Sequence, residues 1–208
     1  MSRTPILIFT LCLSVIGHAL AASASQPQVA RLQAATAQVL GAIYADEAQS
    51  LSNEEKQAKV RTALEQEYDL SVMIRRAIGR NWRRLDSSQQ ERVLELTKQL
   101  VVKAYVDNMN GRERPEVSFG EAIQISDKRM EIPSTVTSDG TSVSVLYRLG
   151  RMRSGWQIYD VVAENISVVA NYRQQIDDHF RKGSADELVT RLEELLNKEK
   201  ITDETLEL

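Results

Sequence analysis

Trp156-Gln-Ile-Tyr-Asp-Val-Val-Ala-Glu-Asn-Ile-Ser-Val-Val-Ala-Asn-Tyr-Arg173 joins two hydrophobic periods without a break. From Trp156 to Val162 the two-residue period of a strand places Trp156, Ile158, Asp160 and Val162 on one face and Gln157, Tyr159 and Val161 on the other. From Ser167 the period changes: Val169, Tyr172, Ile176 and Phe180 recur at helical spacing. Ser167 stands before them as an N-cap, its hydroxyl suited to accept from an amide that the first helical turn leaves unpaired. The stretch starts as a strand and ends as a helix.

Working outward, Val143, Val145, Tyr147 and Leu149 alternate with Ser144, Leu146 and Arg148, and Ser138-Asp-Gly-Thr141 reads as the hairpin turn before them. Arg153-Ser-Gly155 makes the next turn, into Trp156. Four antiparallel strands are predicted, roughly 116–125, 129–137, 142–151 and 155–166. Helices flank them. A helix from about Gln28 to Ala45 places Val29, Leu32, Val39 and Ile43 on one side, and Ser52-Asn-Glu-Glu55 is a capping box opening the next. Asp69 caps a short helix ending at Gly79. Ser87 with Gln90 has capping-box form and opens a long helix carrying Val93, Leu96, Leu100, Ala104 and Tyr105. Lys182-Gly183 ends the helix begun at Ser167, and Ser184-Ala-Asp-Glu187 caps a last one with Leu188, Leu192 and Leu195 inward. The predicted fold is α+β: one curved, mainly antiparallel four-stranded sheet with helices gathered on one side, a cone with an apolar cavity between sheet and helices. With no internal repeat or low-complexity linker, residues 25–200 read as one domain and 201–208 as a polar, frayed tail.

The first residues bear on the compartment. Arg3 precedes an apolar run from Ile6 to Ile16, the length of a signal-peptide core and too short to span a bilayer. Ala19-Leu-Ala21 and Ala22-Ser-Ala24 offer small residues for cleavage, so residues 1–24 are expected to be removed and the protein exported. Cys12 and His18 would leave with them, and His179 is the other of the chain's two histidines. The mature chain then lacks thiol nucleophiles, disulfides and Cys or multi-His zinc sites, and offers little for a Ser-His-Asp relay. Loss of Arg3 moves the net charge from −3 to −4, a mildly acidic balance that argues against a nucleic-acid partner.

A second stretch carries further information: Tyr68-Asp-Leu-Ser-Val-Met-Ile-Arg-Arg-Ala-Ile-Gly-Arg-Asn-Trp-Arg83, followed by Ser87-Ser-Gln-Gln-Glu-Arg-Val and the long helix. An aromatic-Asp pair, a Met-led turn closing on Gly, a Trp-Arg and a Gln-rich helix start, taken with the strand-to-helix stretch above, resemble the signature of the MlaC family. This family, also called the toluene-tolerance or Ttg family, comprises periplasmic phospholipid carriers. The resemblance covers roughly residues 28 to 197. The chain departs from the pattern at Ile74, where Ala is expected, and at Tyr68, where Phe is commoner.

The apolar side chains facing the predicted interior fill a closed core as readily as they line a pocket, since periodicity does not distinguish the two. The resemblance implies a pocket for the acyl tails of a phospholipid. Its candidate lining is Met73, Val101, Tyr105, Val143, Val145, Tyr147, Trp156, Ile158, Val162 and Ile166. Phospholipid is then cargo, and no cofactor, metal or catalytic residue is expected. The resemblance also implies two partners, a lipoprotein-porin complex at the outer membrane and an ABC transporter complex with a lipid-binding ring at the inner membrane. Arg75, Arg76, Arg80, Arg83 and Arg84 form the densest positive cluster, and Arg148, Arg151 and Arg153 a second. Both are candidate docking or phosphate-contacting groups, with a solvated face as the plain alternative.

Two other readings stay open at this stage. Cone-shaped α+β folds also host isomerases, for which Asp160 and Tyr147 form the one plausible acid-base pair; a hydrogen-bonded structural role for Asp160 is the alternative. A ligand-free periplasmic adaptor working through helix faces would have a filled core. His179, beside Asp177 and Asp178, reads as a surface residue.

Overall fold

The computed structural model describes residues 16–201. Helix α1 (Ile16–Tyr44) begins well upstream of the predicted Gln28 and runs through Pro27. Residues 1–15 of the expected leader lie outside the described residues, and 16–24 form the start of α1. Helix α2 (Asn53–Glu67) opens with the predicted box: the Ser52 hydroxyl accepts from Glu55 N–H at 3.2 Å and the Glu55 carboxylate from Ser52 N–H at 2.8 Å. Asp69 caps α3 (Leu70–Ile78) by accepting from Ser71 N–H at 2.9 Å. At Gly79 the chain leaves the helix with φ +58°, where an added Cβ would also lie 3.3 Å from the Arg173 side chain.

The box opening α4 (Ser87–Met109) sits one residue earlier than predicted, on Asp86 and Gln89. The Asp86 carboxylate accepts from Gln89 N–H at 2.9 Å and from the Ser88 hydroxyl at 2.8 Å. An anion at the positive end of a helix outcompetes the neutral hydroxyl of Ser87. Gln90 instead donates to the Trp82 and Leu85 carbonyls, both at 3.1 Å, and holds the preceding turn. Helices α5 (Val168–Lys182) and α6 (Ala185–Leu196) begin at Ser167 and Ser184 as expected.

The sheet has six strands rather than four: β1 (Glu116–Phe119), β2 (Ile123–Ser126), β3 (Arg129–Ser138), β4 (Thr141–Met152), β5 (Gly155–Ala163) and β6 (Ile166–Ser167). All pairs are antiparallel, in the order β1-β3-β4-β5-β6, with β2 also on β3. The two extra strands come from breaks in predicted ones. Gly120-Glu-Ala122 interrupts the first, and its halves pair separately with β3. Glu164 and Asn165, at φ +48° and +66°, turn the last back on itself, so that Ala163 pairs with Ile166. The predicted hairpin has Asp139 and Gly140 at φ +49° and +74°, the left-handed pair that a two-residue turn demands.

A bulge in β5 corrects the predicted strand face. Leu149 pairs with Ile158 but Arg148 pairs with Asp160, leaving Tyr159 as the extra residue. Trp156 and Ile158 therefore share a face with Leu149, while Asp160 and Val162 lie on the opposite face with Arg148 and Leu146. On the first face, Leu32 and Ala35 of α1 pack with Tyr68 on Met130, Ile132 and Leu149, which are at most 1% exposed. Helices are not confined to that side. On the opposite face Gln157 accepts Asp69 N–H at 2.8 Å and Asp160 accepts Val169 N–H at 3.2 Å, joining β5 to the starts of α3 and α5. A second core joins α3 to α6 through Ile78, Leu96, Leu188 and Leu195, and a third lies between α1, α2 and α4.

Ile201, placed by sequence in a frayed tail, is fully buried in the α3–α6 core, and its N–H donates to the buried Asp107 carboxylate at 2.9 Å. Residues 202–208 of that predicted tail lie outside the described residues. No helix among the described residues is long and apolar enough to cross a membrane.

Candidate functional site

Two helix pairs set the geometry of the most apolar pocket. Within the first, Asn81 donates to Asp177 at 2.6 Å and the Arg173 guanidinium to the Arg76 carbonyl at 3.0 Å, so the end of α3 is tied to α5. Within the second, Gln89 donates to Asp186 at 2.6 Å and Arg92 to Glu193 at 2.9 Å, tying α4 to α6. Between the pairs lies a pocket of about 150 Å³ walled by Met73, Ile74 and Ala77 of α3, Leu100 and Val101 of α4, Val169 and Ile176 of α5 and Leu192 of α6. Thr97 and Tyr172 bring the only side-chain hydroxyls to its walls. This pocket lies between helices, and on the α1-facing side of the sheet, where a cavity is predicted, Met130, Ile132 and Leu149 form a packed cluster. A pocket of this volume accommodates roughly a benzene ring, and drug-sized ligands occupy about 300–1,000 Å³.

Of the predicted lining, the structure brings Met73 and Val101 together at the pocket. Val101 is 46% exposed and stands at its mouth. Tyr105, one turn further along α4, packs against the core between α1, α2 and α4. Tyr147, Trp156 and Ile158 pack on the α1-facing core, with the Phe119 and Tyr147 ring centroids 6.1 Å apart. Val143 is half-buried further along the same face of β4 as Tyr147. Val145 and Val162 border an open groove over β3, β4 and β5. Ile166 is 63% exposed on β6. Sequence reading missed the α5 and α6 walls: Val169, Ile176, Leu188 and Leu192 were visible as inward stripes, but nothing in the periodicity says they face α3 and α4 across a gap.

Burial raises the phenol pKa of Tyr44 and of three further tyrosines. Burial pushes the Tyr68 and Tyr105 phenols up to about 12, and raises that of Tyr147 as well, the Ser134 side chain acting in the opposite sense. Tyr147 packs against the same core as Tyr68, and Tyr105 against the core between α1, α2 and α4. The Arg31 guanidinium lies 4.5 Å over the Tyr68 ring while bonding to Glu67 and to the Trp156 carbonyl, both at 2.8 Å.

The arginine clusters divide by role. Arg148 lies between Glu131 and Asp160, at 3.1 Å from each, on the sheet rather than at the hairpin tip with the exposed Arg151 and Arg153. Arg84 donates to the Phe180 carbonyl at 2.7 Å and covers the Phe180 ring. Arg75 and Arg76 are exposed and lie over the Trp82 and Tyr159 rings at 5.2 and 4.6 Å, Arg80 reaches Asp177 at 3.5 Å, and Arg83 is exposed. Asp160 accepts from the Ser167 hydroxyl at 2.8 Å as well as from Val169 and Arg148, so it joins strand, turn and helix. It and Tyr147 point from opposite faces of the sheet, because Tyr147 pairs with Val161 and Asp160 with Arg148. His179 is half-buried, 2.9 Å from the Ser184 carbonyl and edge-on to Phe180. Among the described residues no cluster of His, Cys, Asp and Glu could hold a metal ion.

Residues 33–194 match the family model described as MlaC protein. The chain belongs to the MlaC family. Membership agrees with the resemblance read from the two sequence stretches. A phospholipid-binding protein from Ralstonia solanacearum, solved in complex with a phospholipid, shares the fold with this MlaC chain at a TM-score of 0.72 and 23% identity, over 81% of this chain and 98% of that one. No curated relative matches.

Proposed function

We propose that the protein is a periplasmic phospholipid carrier, exported by a cleaved signal peptide. It moves phospholipid between a lipoprotein-porin complex at the outer membrane and an ABC transporter complex with a lipid-binding ring at the inner membrane, and so maintains outer-membrane lipid asymmetry. The observation that carries the reading is the nearly all-apolar pocket between α3/α5 and α4/α6. Membership of the MlaC family and a structural relative solved with phospholipid support it.

Loading requires the pocket to widen, since about 150 Å³ is far below the volume of two acyl chains. The walls that must part are lined by apolar side chains, whereas hydrogen bonds such as Asn81–Asp177 and Gln89–Asp186 act within each helix pair and move with it. Met73 and Val101 touch the tails first; Tyr105, Tyr147, Val143, Val145, Trp156, Ile158, Val162 and Ile166 join as the opening reaches the sheet. Two tails of about sixteen carbons represent about 25 kcal/mol of transfer from water, at about 0.8 kcal/mol per methylene, and a bilayer offers nearly the same. Transfer is thus close to balanced and needs no catalytic group, cofactor or metal. Arg75, Arg76, Arg80, Arg83, Arg151 and Arg153 remain the docking candidates, Arg84 and Arg148 being engaged within the fold.

A ligand-free adaptor is favoured by one observation, the packed core beneath the sheet. Native mass spectrometry of protein purified from a periplasmic extract without detergent separates the readings. A bound diacyl phospholipid released on unfolding is expected; a clean unliganded mass with high thermal stability refutes the carrier in favour of the adaptor.

A further inference from the structure

One end of the sheet carries cations that the fold itself does not use. Arg129 pairs with Gly150, and the Arg151 N–H donates to the Lys128 carbonyl at 2.9 Å, so the β2–β3 turn lies beside the β4–β5 hairpin, which continues past it to Arg153. Lys128, Arg129, Arg151 and Arg153 are all exposed, and none of their side chains has a hydrogen-bond or ion-pair partner among the described residues. Asp127 is the one carboxylate in the two turns. A local charge of +3 is thus gathered at one end of a chain whose net charge is −3.

Apolar side chains stand among these cations. Of the five large apolar side chains exposed among the described residues, Ile123 and Ile125 lie on β2 as it enters the first turn, and Met152 lies between Arg151 and Arg153 in the second. Met152 is 37% exposed and Ile125 50%. The Met152 methyl and the Tyr159 ring border Gly150, where an added Cβ would lie 3.1 and 3.2 Å from them, and the Arg76 guanidinium of α3 covers that ring at 4.6 Å. The turns are ordered without a partner. The Gln124 amide donates to the Ser126 carbonyl and, at 3.4 Å, to that of Arg129, while Gly155 takes φ +99° to close the hairpin.

A stable protein interface needs about 800 Å² of complementary surface on each partner and is poor in lysine, whereas two adjacent turns present a narrow tip. An anionic bilayer asks for less: its phosphates meet the cations, and the layer beneath them accepts apolar side chains. We propose that the β2–β3 and β4–β5 turns dock the protein on the surface of an anionic phospholipid bilayer, with Lys128, Arg129, Arg151 and Arg153 at the phosphates and Met152 and Ile125 beneath them. This goes beyond the carrier reading and does not depend on what the pocket holds. Each cation strengthens adsorption about fivefold, so the docking is reversible and is screened by salt.

The test is sedimentation of protein from a periplasmic extract with sucrose-loaded vesicles, either of phosphatidylglycerol mixed with phosphatidylcholine or of phosphatidylcholine alone, at about 20 mM and about 500 mM salt. Adsorption to the anionic vesicles only, lost at the higher salt, is expected. Arg151→Gln/Arg153→Gln should adsorb about twenty-fivefold more weakly. Met152→Ser, which keeps the charge, should adsorb about fourfold more weakly, the worth of one buried methylene. Arg112→Gln/Arg114→Gln removes as much charge just before β1, at the opposite end of the sheet, and should leave adsorption within about twofold. Equal adsorption to both vesicle types, adsorption to neither, an equal loss in the Arg112/Arg114 variant, or full adsorption of Met152→Ser overturns the proposal. So does a wild type that ignores vesicles yet is retained by a detergent-solubilised membrane-protein complex that Arg151→Gln/Arg153→Gln no longer binds, a result that assigns the turns to an acidic protein partner.

Discussion

Substituting Ala77→Leu separates a pocket that opens from a core that is merely imperfect. Ala77 lines the pocket from α3, facing Val101 and Leu192 across about 150 Å³. At about 24 cal/mol per Å³, an empty volume of that size corresponds to about 3.6 kcal/mol of stability not realised. Leucine adds three carbon atoms; fully buried at about 0.8 kcal/mol each they contribute about 2.4 kcal/mol, and imperfect fit takes back part of it. The lipid-free variant should therefore be more stable by about 1–2 kcal/mol, a rise in melting temperature of roughly 3–6 °C for a chain of this size. Phospholipid copurifying with it should fall at least tenfold, because the added side chain occupies the space where tails enter. Thermal unfolding of delipidated protein and native mass spectrometry of undelipidated protein read the two effects separately. Destabilisation by about 1–3 kcal/mol with lipid content unchanged is the signature of overpacking in a closed core, and would refute the location of the tail site.

Asp160→Asn should lower stability in urea by about 2 kcal/mol, since it weakens the tie among Arg148, Ser167 and the first turn of α5, yet leave lipid loading intact; loss of lipid at unchanged stability would contradict that structural role. The Arg61 side chain, through its two bonds to the Glu95 carboxylate, holds that carboxyl down at about 2. A depressed folded value means stability present above the unfolded value near 4.5 and lost as pH falls toward 2; because Glu95 is 40% exposed, the contribution is about 0.5–1 kcal/mol. Glu95→Gln should therefore be less stable than wild type by that amount at pH 7, with the two urea midpoints converging near pH 2. Asp107→Ala should cost about 2–3 kcal/mol, leaving Ile201 N–H and Lys103 without their buried acceptor, and hydrogen exchange should show the segment after α6 released; continued protection at Ile201 would refute the anchor.

Much of the fold was legible because caps, turns and periods are local. Ser52, Asp69, Ser167 and Ser184 mark helix starts in the chain and in the structure, and Asp139-Gly140 marks the hairpin by the conformation it alone tolerates easily. The misreadings have local causes too. Alternation from Trp156 to Val162 looks unbroken, but one extra residue at Tyr159 reverses every side chain after it, and no feature of the period announces a bulge. Asp86 outranks Ser87 as a cap because charge matters at a helix terminus, a comparison the capping-box pattern does not make. The candidate site was less legible. Met73 and Val101 were read as lining, yet whether α5 and α6 close against α3 and α4 or against the sheet depends on ties such as Asn81–Asp177, 96 residues apart in sequence, which no window of periodicity contains.

For the carrier function proposed above, a nearly closed pocket with its polar ties inside the helix pairs has an energetic advantage. If the walls stood permanently apart, their apolar faces would meet water in the empty state, and tails would have to be drawn out of the pocket against the re-exposure of both tail and wall. Where the walls close on one another after release, part of that loss is recovered, so the empty state is stabilised relative to the loaded one. The membrane supplies nearly the same gain to the tails as the pocket does, so this closure free energy, rather than the tails themselves, decides how readily cargo leaves. Hydrogen bonds across the opening would make closure directional and slow to reverse. Arg173–Arg76 pairs α3 with α5 and Arg92–Glu193 pairs α4 with α6, and the surface facing the pocket between them is mainly apolar, while the ties that cross from one pair to the other, Gln90 to the Trp82 carbonyl and His179 to the Ser184 carbonyl, lie at the connecting turns.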